Sequence, residues 1–454
     1  MAPQRDDSSP LRLLVSDRTL SRRGFIASAL AFGGALSLGS AKAFAQVPAT
    51  WPRNTVTITS FTFSGQRWGR VQQALVPGFE KANPGVLVRL STYPISQGFG
   101  RMLEAVAVGS SEYDLIELDY NFLAQIAARL MPLDPFLKRD AAYAADYRAS
   151  VPPNVRNLYV YRGTTYGIAN DSNTQMGYYR TDVFEKAGIK SPPQTWDEVL
   201  RVAKELTVKT PSGMQHGFTS NGQRGVFSST LFGQMLLSYS GEWLDSHNRP
   251  TLLTPEAHDA LTMLQKLMKY ADPSVVNAAD NDTINAMASG VAVFAPNAWG
   301  NNAFTNPKLN KYGSVIRSTV VPKGPGPHGR HMPLMGGFGL VMPAASLHKE
   351  QAWKFIQYLT AKRNMKAYVY ASGQPARTDA LRQYASVAQM FIGLADSLPL
   401  AHRQPQLKDQ TAFYEALGTP VSLVMTGQLS VSSALKQAQA ATTAVLTKSG
   451  DIKK

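Results

Sequence analysis

The chain has 454 residues, a formal net charge of +15 at pH 7 and no cysteine. This length allows two or three domains with a sizeable core. The absence of cysteine excludes a disulfide framework, thiolate metal sites, iron–sulfur clusters and a cysteine nucleophile. The 46 Lys and Arg residues are scattered rather than clustered. The positive charge therefore does not indicate nucleic-acid binding.

The first predicted element is an export signal over residues 1–45. Residues 21–26 (SRRGFI) resemble the twin-arginine motif, in which a receptor reads two adjacent arginines. A weakly apolar run over 25–41 follows, and residues 43–45 (AFA) form the small-x-small pattern of a cleavage site. The run is too short and too rich in Gly and Ser to span a bilayer well, which takes about 20 strongly apolar residues. We expect twin-arginine export, cleavage after Ala45 and a periplasmic mature protein, with an N-terminal membrane anchor as the alternative.

After the signal, strand and helix patterns alternate. Short strand-like runs occur at 55–61, 86–90 and 114–118, and the first of them alternates strictly between polar and apolar residues. Between the first two runs, apolar residues recur at helical spacing over 71–82. Pro77-Gly78 lies inside this helix and is expected to kink it or end it early. Strand–helix–strand units of this spacing predict a mostly parallel α/β sheet.

Three later helices have clear signals at their first turn. Thr195 precedes Glu198 at the spacing of a capping box. Thr254 precedes Pro255, which suits the first position of a helix. Residues 349–359 have an amphipathic pattern. The three tryptophans that fall on helical or helix-entry patterns are expected in the core; they are Trp196, Trp243 and Trp353.

Four stretches together resemble the extracellular solute-binding proteins of carbohydrate ABC importers, the maltose-binding-protein-like family. They are YDLIELDYNFLAQIAARLMPLDPFL (113–137), YGIANDSNTQMGYYRTDVFEKAGIKSPPQTWDEVLRVAKEL (166–206), SGVAVFAPNAW (289–299) and GGFGLVMPAASLHKEQAWKFIQYLT (336–360). Their order and spacing match over about residues 54–440. The resemblance implies an α/β, two-lobed periplasmic-binding-protein fold of class II type, with a three-segment hinge and a central cleft.

The resemblance also implies a domain map. The chain would cross the hinge near 169–175, 336–340 and 373–378. One lobe would combine 47–169 with 339–375, and the other would combine 173–335 with 378–454. A monomer without a cofactor is expected, which captures a sugar, oligosaccharide or polyol and delivers it to the transmembrane subunits of an ABC permease. Its other expected partner is the twin-arginine export machinery.

Sugar chemistry indicates which residues such a cleft needs. Sugars present hydroxyl groups around apolar C–H faces, so their sites combine carboxylates and amides with aromatic rings. Asp119 follows a predicted strand, where α/β sheets present side chains to a crevice. The resemblance then selects eight ligand-binding candidates, which are Trp68, Asp119, Tyr120, Asp171, Asn173, Trp299, Phe338 and Arg377. Phe338 stands where many relatives carry tryptophan, which leaves the identity of the sugar open.

Each candidate also has a structural alternative. Asp119 is placed to cap the next helix, and the segment 171–173 suits a turn held by side-chain hydrogen bonds. Trp68 fits a surface packing position equally well, and Trp299, for which stacking is favoured, has a core position as its alternative. Arg377 is as well suited to a hinge salt bridge as to ligand binding.

Two rival functions remain open. A secreted glycosidase needs two carboxylates that meet only in space, although the sequence has no common nucleophile motif or phosphate loop. A periplasmic ferric-iron-binding protein would use adjacent tyrosines such as Tyr178-Tyr179. On a strand, however, adjacent side chains point to opposite faces. A metal site at His328 and His331 is not expected, because their loop offers no acidic third ligand.

Replacing Arg22 and Arg23 together by lysine tests the export signal. The precursor should accumulate in the cytoplasm, because lysine lacks the forked guanidinium that the receptor reads. Cell fractionation followed by immunoblotting measures the precursor and the mature form. Normal levels of mature protein in the periplasm would instead favour the general secretory route.

Overall fold

The computed structural model describes residues 55–452, so the predicted export signal at 1–45 lies outside the described residues. Within this range, no helix combines the length and apolar character that crossing a bilayer requires. The strands are β1 Val56–Phe63, β2 Val86–Tyr93, β3 Leu115–Asp119, β4 Val160–Tyr161, β5 Thr164–Thr165, β6 Gly167–Ala169, β7 Asn173–Arg180, β8 Val208–Thr210, β9 Gly213–Gln215, β10 Phe294–Trp299, β11 Ile316–Thr319, β12 Met335–Gly336 and β13 Phe338–Val341. The α-helices are α1 Arg67–Ala82, α2 Ile95–Ala107, α3 Leu123–Ile126, α4 Asp134–Arg139, α5 Ala141–Ser150, α6 Pro153–Arg156, α7 Thr181–Lys186, α8 Trp196–Leu206, α9 Val226–Ser238, α10 Pro255–Leu267, α11 Asp280–Ser289, α12 Lys349–Thr360, α13 Met365–Tyr370, α14 Thr378–Gln383, α15 Met390–Ser397, α16 Gln410–Met425 and α17 Val431–Ser449.

The first sheet has the strand order β2-β1-β3-β13-β6. β1 pairs in parallel with β2 and β3, and β13 runs antiparallel to both β3 and β6. The three predicted strands are confirmed, and the helices between them, α1 and α2, make the parallel pairing possible. Ile58, Phe61 and Phe63 of β1 are fully buried beneath these helices.

Helix α1 continues through Pro77 to Ala82, so the expected early end is wrong. Leu75 and Phe79 flank the proline and are both buried. The ring of Phe79 packs 4.8 Å from that of Phe355 in α12, between centroids. Burying this apolar face outweighs the hydrogen bond that a proline cannot donate.

The second sheet has the order β10-β7-β11, and β12 pairs with the beginning of β7. All three partners run antiparallel to β7. The prediction of a mostly parallel arrangement is therefore wrong for this sheet, because β7 lies at its centre and runs opposite to each strand with which it pairs.

The predicted caps of α8 and α10 are confirmed. The hydroxyl of Thr195 accepts the N–H of Glu198 at 3.2 Å, and the carboxylate of Glu198 accepts the N–H of Thr195 at 3.2 Å. The hydroxyl of Thr254 accepts the N–H of Ala257 at 3.3 Å. The three tryptophans predicted in the core are also buried; they are Trp196, Trp243 and Trp353.

The chain passes between the two sheets at β6–β7 and at β12–β13. A third connection runs from α13 to α14. Helix α13 packs on α1 of the first half, and α14 packs on α15 of the second. Backbone hydrogen bonds join the three connections. The N–H of Phe338 donates to the Asp171 carbonyl, that of Ser172 to Gln374, and that of Ala376 to Asn170. We call residues 170–172, with their partners, the hinge knot.

The lobe boundaries remain a prediction. One segment assigned to the second lobe contacts the first closely: the amide of Asn154 donates to the carbonyls of Leu398 and Ala401, and that of Gln406 donates to Leu158 at 2.8 Å. The backbone of His402 also bonds to Pro333 and Met335 beside the second sheet, so residues 398–406 lie against both halves of the molecule.

A substitution of Gly337 tests the hinge knot. Gly337 has φ +138°, and a Cβ there would lie 2.8 Å from the Asp171 carbonyl oxygen. Gly337→Ala should lower the free energy of unfolding by about 1–3 kcal/mol, as measured by urea denaturation. Gly326→Ala is the matched control, because Gly326 has φ +70° but open space around it, and it should lose about 1 kcal/mol. Equal losses in the two variants would show that the close contact between Gly337 and Asp171 does not contribute to the free energy of unfolding.

Candidate functional site

A cavity of ≈ 610 Å³ opens where the ends of the two sheets meet at the hinge. This volume lies in the range of small-molecule sites. Its wall combines the beginnings of α1 and α2 and the end of β3 with the beginnings of α9 and α11 and the end of β10. Both sheets therefore contribute side chains to one cavity.

Five of the eight predicted residues line this cavity; they are Trp68, Asp119, Asn173, Trp299 and Phe338. They are far apart in sequence, and the two sheets bring them together. Contact between these side chains and a ligand stays a prediction.

Tyr120 does not line the cavity, and the prediction of direct contact is corrected. Its side chain is fully buried, and its hydroxyl donates to the Met335 carbonyl at 2.8 Å. The same hydroxyl accepts the backbone N–H of Gln404 at 3.1 Å. Asp119 ends β3 and reaches the cavity, whereas Tyr120 begins the helical turn that follows and packs behind the wall.

Asp171 and Arg377 also lie outside the wall, and other protein groups occupy their polar atoms. Asp171 accepts two hydrogen bonds from the Arg67 guanidinium, both at 2.7 Å. Arg377 donates to Asp146 at 2.6 Å and to Asp379 at 3.1 Å. The salt-bridge alternative thus describes Arg377 correctly, whereas Asp171 forms an ion pair rather than the expected turn or ligand contact.

The aromatic residues of the wall differ in how much surface they offer. Trp68 and Phe338 are only 5% and 6% exposed, and their ring centroids lie 3.7 Å apart. The Arg67 guanidinium also lies 4.5 Å from the Trp68 ring centroid. Trp299 is half-buried and rests on Gly336, where a Cβ would come within 2.9 Å of its ring. Trp299 therefore offers a more accessible ring than Trp68 or Phe338 for stacking on a sugar.

Two partly exposed carboxylates face the cavity from opposite halves of the molecule. Asp119 accepts the N–H of Asn121 at 3.0 Å, so it also has the capping role considered as its alternative. Asp280 accepts the side-chain amide of Asn221 at 3.0 Å. Burial raises the pKa of Asp119 to about 6 and that of Asp280 to about 6. Both are mainly ionised at neutral pH and suit hydroxyl or ammonium donors.

The sequence analysis missed several wall residues. Asp280 occupies the first turn of α11, where an acidic residue is explained by the helix dipole alone. Gln404 and Tyr414 reach the wall because the C-terminal segment folds back, and the Tyr414 hydroxyl donates to the Gln404 side chain. No local pattern signals such a return of the chain. Arg67 precedes the candidate Trp68 in the sequence, but no sequence pattern marks it as a wall residue.

A second cavity of ≈ 480 Å³ is bounded by residues 160–162, 242–245 and 402–406, among others. It contains none of the predicted residues, and its aromatic lining is Tyr161 and Trp243. Trp243 is a core side chain whose indole N–H donates to the Gly233 carbonyl. The first cavity is therefore the better candidate for a sugar or polyol.

The tyrosine pair behind the ferric-iron alternative does not converge on one point. Tyr178 is fully buried against Phe304, with ring centroids 4.0 Å apart, whereas Tyr179 is partly exposed beside Phe184. Across residues 55–452, no group of three His, Cys, Asp or Glu side chains is arranged to hold a metal ion.

Trp299→Ala should weaken ligand binding by about 1–3 kcal/mol, through the lost stack and the lost buried area. Calorimetry with a bound sugar or polyol measures this loss, and thermal melting without ligand measures stability. Trp353→Ala is the contrasting variant, because a fully buried tryptophan should cost about 3–5 kcal/mol of stability. Unchanged affinity together with a large stability loss in the Trp299 variant would place this residue in the core.

Comparisons with known proteins agree with this arrangement. The mannitol-binding protein of Pseudomonas aeruginosa is 24% identical over 418 residues, which cover 87% of this chain and 94% of that protein. Among solved structures, an ABC transporter solute-binding protein of Agrobacterium vitis with bound D-mannitol has a TM-score of 0.69 at 25% identity, covering 87% of this chain and 99% of that one. Maltose-bound MalE3 of T. maritima has a TM-score of 0.74 at 22% identity, covering 86% and 100%.

These structural likenesses confirm the α/β, two-lobed periplasmic-binding-protein fold. The sequence model of one family, described as bacterial extracellular solute-binding protein, matches residues 66–366, well over half of the chain. The resemblance noted from the four sequence stretches is thereby confirmed, and the chain belongs to the bacterial extracellular solute-binding protein family.

Proposed function

We propose that this protein is the substrate-binding component of an ABC importer and captures a sugar, oligosaccharide or polyol between its two lobes. The observation that carries this proposal is one cavity that receives an accessible tryptophan ring and carboxylates from both halves of the molecule, Asp119 from β3 and Asp280 from α11. This is the combination that polyhydroxylated compounds require.

The energies of such contacts are sufficient. A hydrogen bond to a charged group contributes roughly 1.5–3 kcal/mol and an aromatic stack about 0.5–1.5 kcal/mol. A micromolar ligand requires about 8 kcal/mol. A few contacts with Asp119, Asp280 and Trp299 that form together on lobe closure are therefore enough, and neither lobe needs to bind strongly alone.

The relatives support this ligand class without narrowing it. The Pseudomonas aeruginosa protein is a mannitol-binding protein, and the Agrobacterium vitis structure contains D-mannitol, whereas the T. maritima structure contains maltose. A polyol and a disaccharide are thus both represented. Membership of the family supports delivery of the ligand to the transmembrane subunits of a permease.

The remaining expectations belong to the same proposal. The twin-arginine motif supports export to the periplasm with cleavage after Ala45. The mature protein acts as a monomer, with lobes of 47–169 plus 339–375 and of 173–335 plus 378–454. It binds reversibly and does not transform its ligand.

Isothermal titration calorimetry against monosaccharides, oligosaccharides and polyols tests this function. We expect stoichiometric, reversible binding of at least one compound, which is recovered unchanged. New reducing ends after incubation with oligosaccharides would instead indicate a glycosidase, and a charge-transfer colour on adding ferric ion would indicate iron binding. Absence of binding across the whole panel would contradict the proposal.

A further inference from the structure

The cavity wall has more acidic than basic side chains. Five titratable side chains line it, which are Arg67, Asp119, Asp280, Asp282 and Tyr414. Within the described part of the chain, Arg67 is the only basic residue among them, and its bidentate pair with Asp171 offsets its charge. Tyr414 is neutral, because burial raises its pKa well above the usual range. The wall therefore carries an excess of negative charge, although the chain as a whole carries +15.

Neutral groups alone donate hydrogen bonds to the two partly buried carboxylates. Asp119 receives its hydrogen bond from Asn121, and Asp280 receives one from the amide of Asn221. Over residues 55–452, neither carboxylate forms an ion pair. Two ionised groups thus face the cavity without a cation of their own.

The helix dipole compensates only part of this charge. Asp280 and Asp282 both lie in the first turn of α11. A helix N-terminus supplies roughly half an elementary charge, and Asp282 already uses this position by accepting the N–H of Ala279 at 2.9 Å. Asp119 caps only the short helical turn that begins at Tyr120, and its hydrogen bond from Asn121 already uses that position. The Arg67 guanidinium attracts Asp280 through space, but Asp171 opposes its effect.

A further acceptor lies at the same wall. The side-chain oxygen of Asn121 is buried and has no hydrogen-bond partner among the described residues. Buried acceptors of this kind are normally satisfied. Asp119 and Asp280 offer carboxylate acceptors to the cavity in front of this oxygen, and a primary ammonium group supplies three donors and a positive charge.

We infer that the cavity selects for ligand charge: it binds an amine-bearing polyhydroxylated compound more tightly than its neutral counterpart, and it rejects the corresponding acid. This inference rests on the proposed function. When the lobes close, water leaves the carboxylates, and a cation then compensates charges that a hydroxyl group only solvates. Hydrogen bonds between charged partners are about twice as strong as neutral ones. An anionic ligand would instead add a further like charge at close range.

Calorimetry at pH 7.5 with two matched sets of probes tests the inference. One set is D-glucitol, 1-amino-1-deoxy-D-glucitol and D-gluconate, and the other is D-glucose, D-glucosamine and D-glucuronate. Within a set, the amine should bind about tenfold more tightly than the neutral compound. The acid should bind at least about tenfold more weakly than the neutral compound.

Two isosteric variants, Asp119→Asn and Asp280→Asn, locate the effect. Each should reduce the affinity ratio of amine to neutral compound towards one. Asp259→Asn is the matched control, because it removes the same charge from a side chain that is 70% exposed and outside the cavity. It should leave the ratio unchanged. The ratios in the unmodified protein decide the question even where a variant fails to fold.

A neutral compound that binds as tightly as its amine overturns the inference and leaves the proposed function standing. Equal binding of the acid and the neutral compound also overturns the inference and leaves the proposed function standing. If none of the six probes binds, the inference also fails, and if the wider panel of sugars and polyols fails as well, the proposed function falls with it.

Discussion

The buried ion pair between Arg67 and Asp171 connects the hinge to the cavity wall. Arg67 begins α1 on the first sheet, and Asp171 lies in the β6–β7 connection, where its carbonyl also accepts the N–H of Phe338. Removing one partner of such a pair costs about 3–5 kcal/mol, because the other charge stays buried. The same guanidinium lies over the ring of Trp68. The position of the aromatic wall thus depends on the geometry of the hinge.

A second polar network, centred on Glu117, contacts the hinge knot. The carboxyl group of Glu117 is fully buried and accepts the amides of Gln72 and Asn170 at 2.7 and 2.9 Å. Burial raises its pKa to about 8. Because the folded-state pKa lies above the ordinary value, the contribution of this group to stability is greatest at low pH and is lost as the pH rises towards 8. Asn170 of the hinge knot is thus joined to a buried carboxyl group of β3.

Much of the fold was readable from local pattern, because periodicity and capping residues act over a few residues. The strands at 56–63, 86–93 and 115–119 and the caps at Thr195 and Thr254 are examples. Features that depend on distant contacts were not readable. Helix α1 continues past Pro77 because Phe355 packs on its apolar face, and the antiparallel second sheet follows from the place of β7 between β10 and β11, which are distant in sequence. For the site, the sequence indicated that carboxylates and aromatic rings follow the strands. The hydrogen-bond partners of Tyr120 and Arg377 and the position of Asp280 in the cavity wall arise only from the tertiary fold.

The central claim is that the two lobes close about the hinge knot onto a ligand. Small-angle X-ray scattering of the purified protein, with and without a saturating sugar or polyol that binds by calorimetry, tests it most directly. The account predicts a smaller radius of gyration in the bound protein, because closure brings the lobes together around the cavity. Identical scattering curves at full saturation would contradict it, since the ligand would then bind without any movement of the lobes.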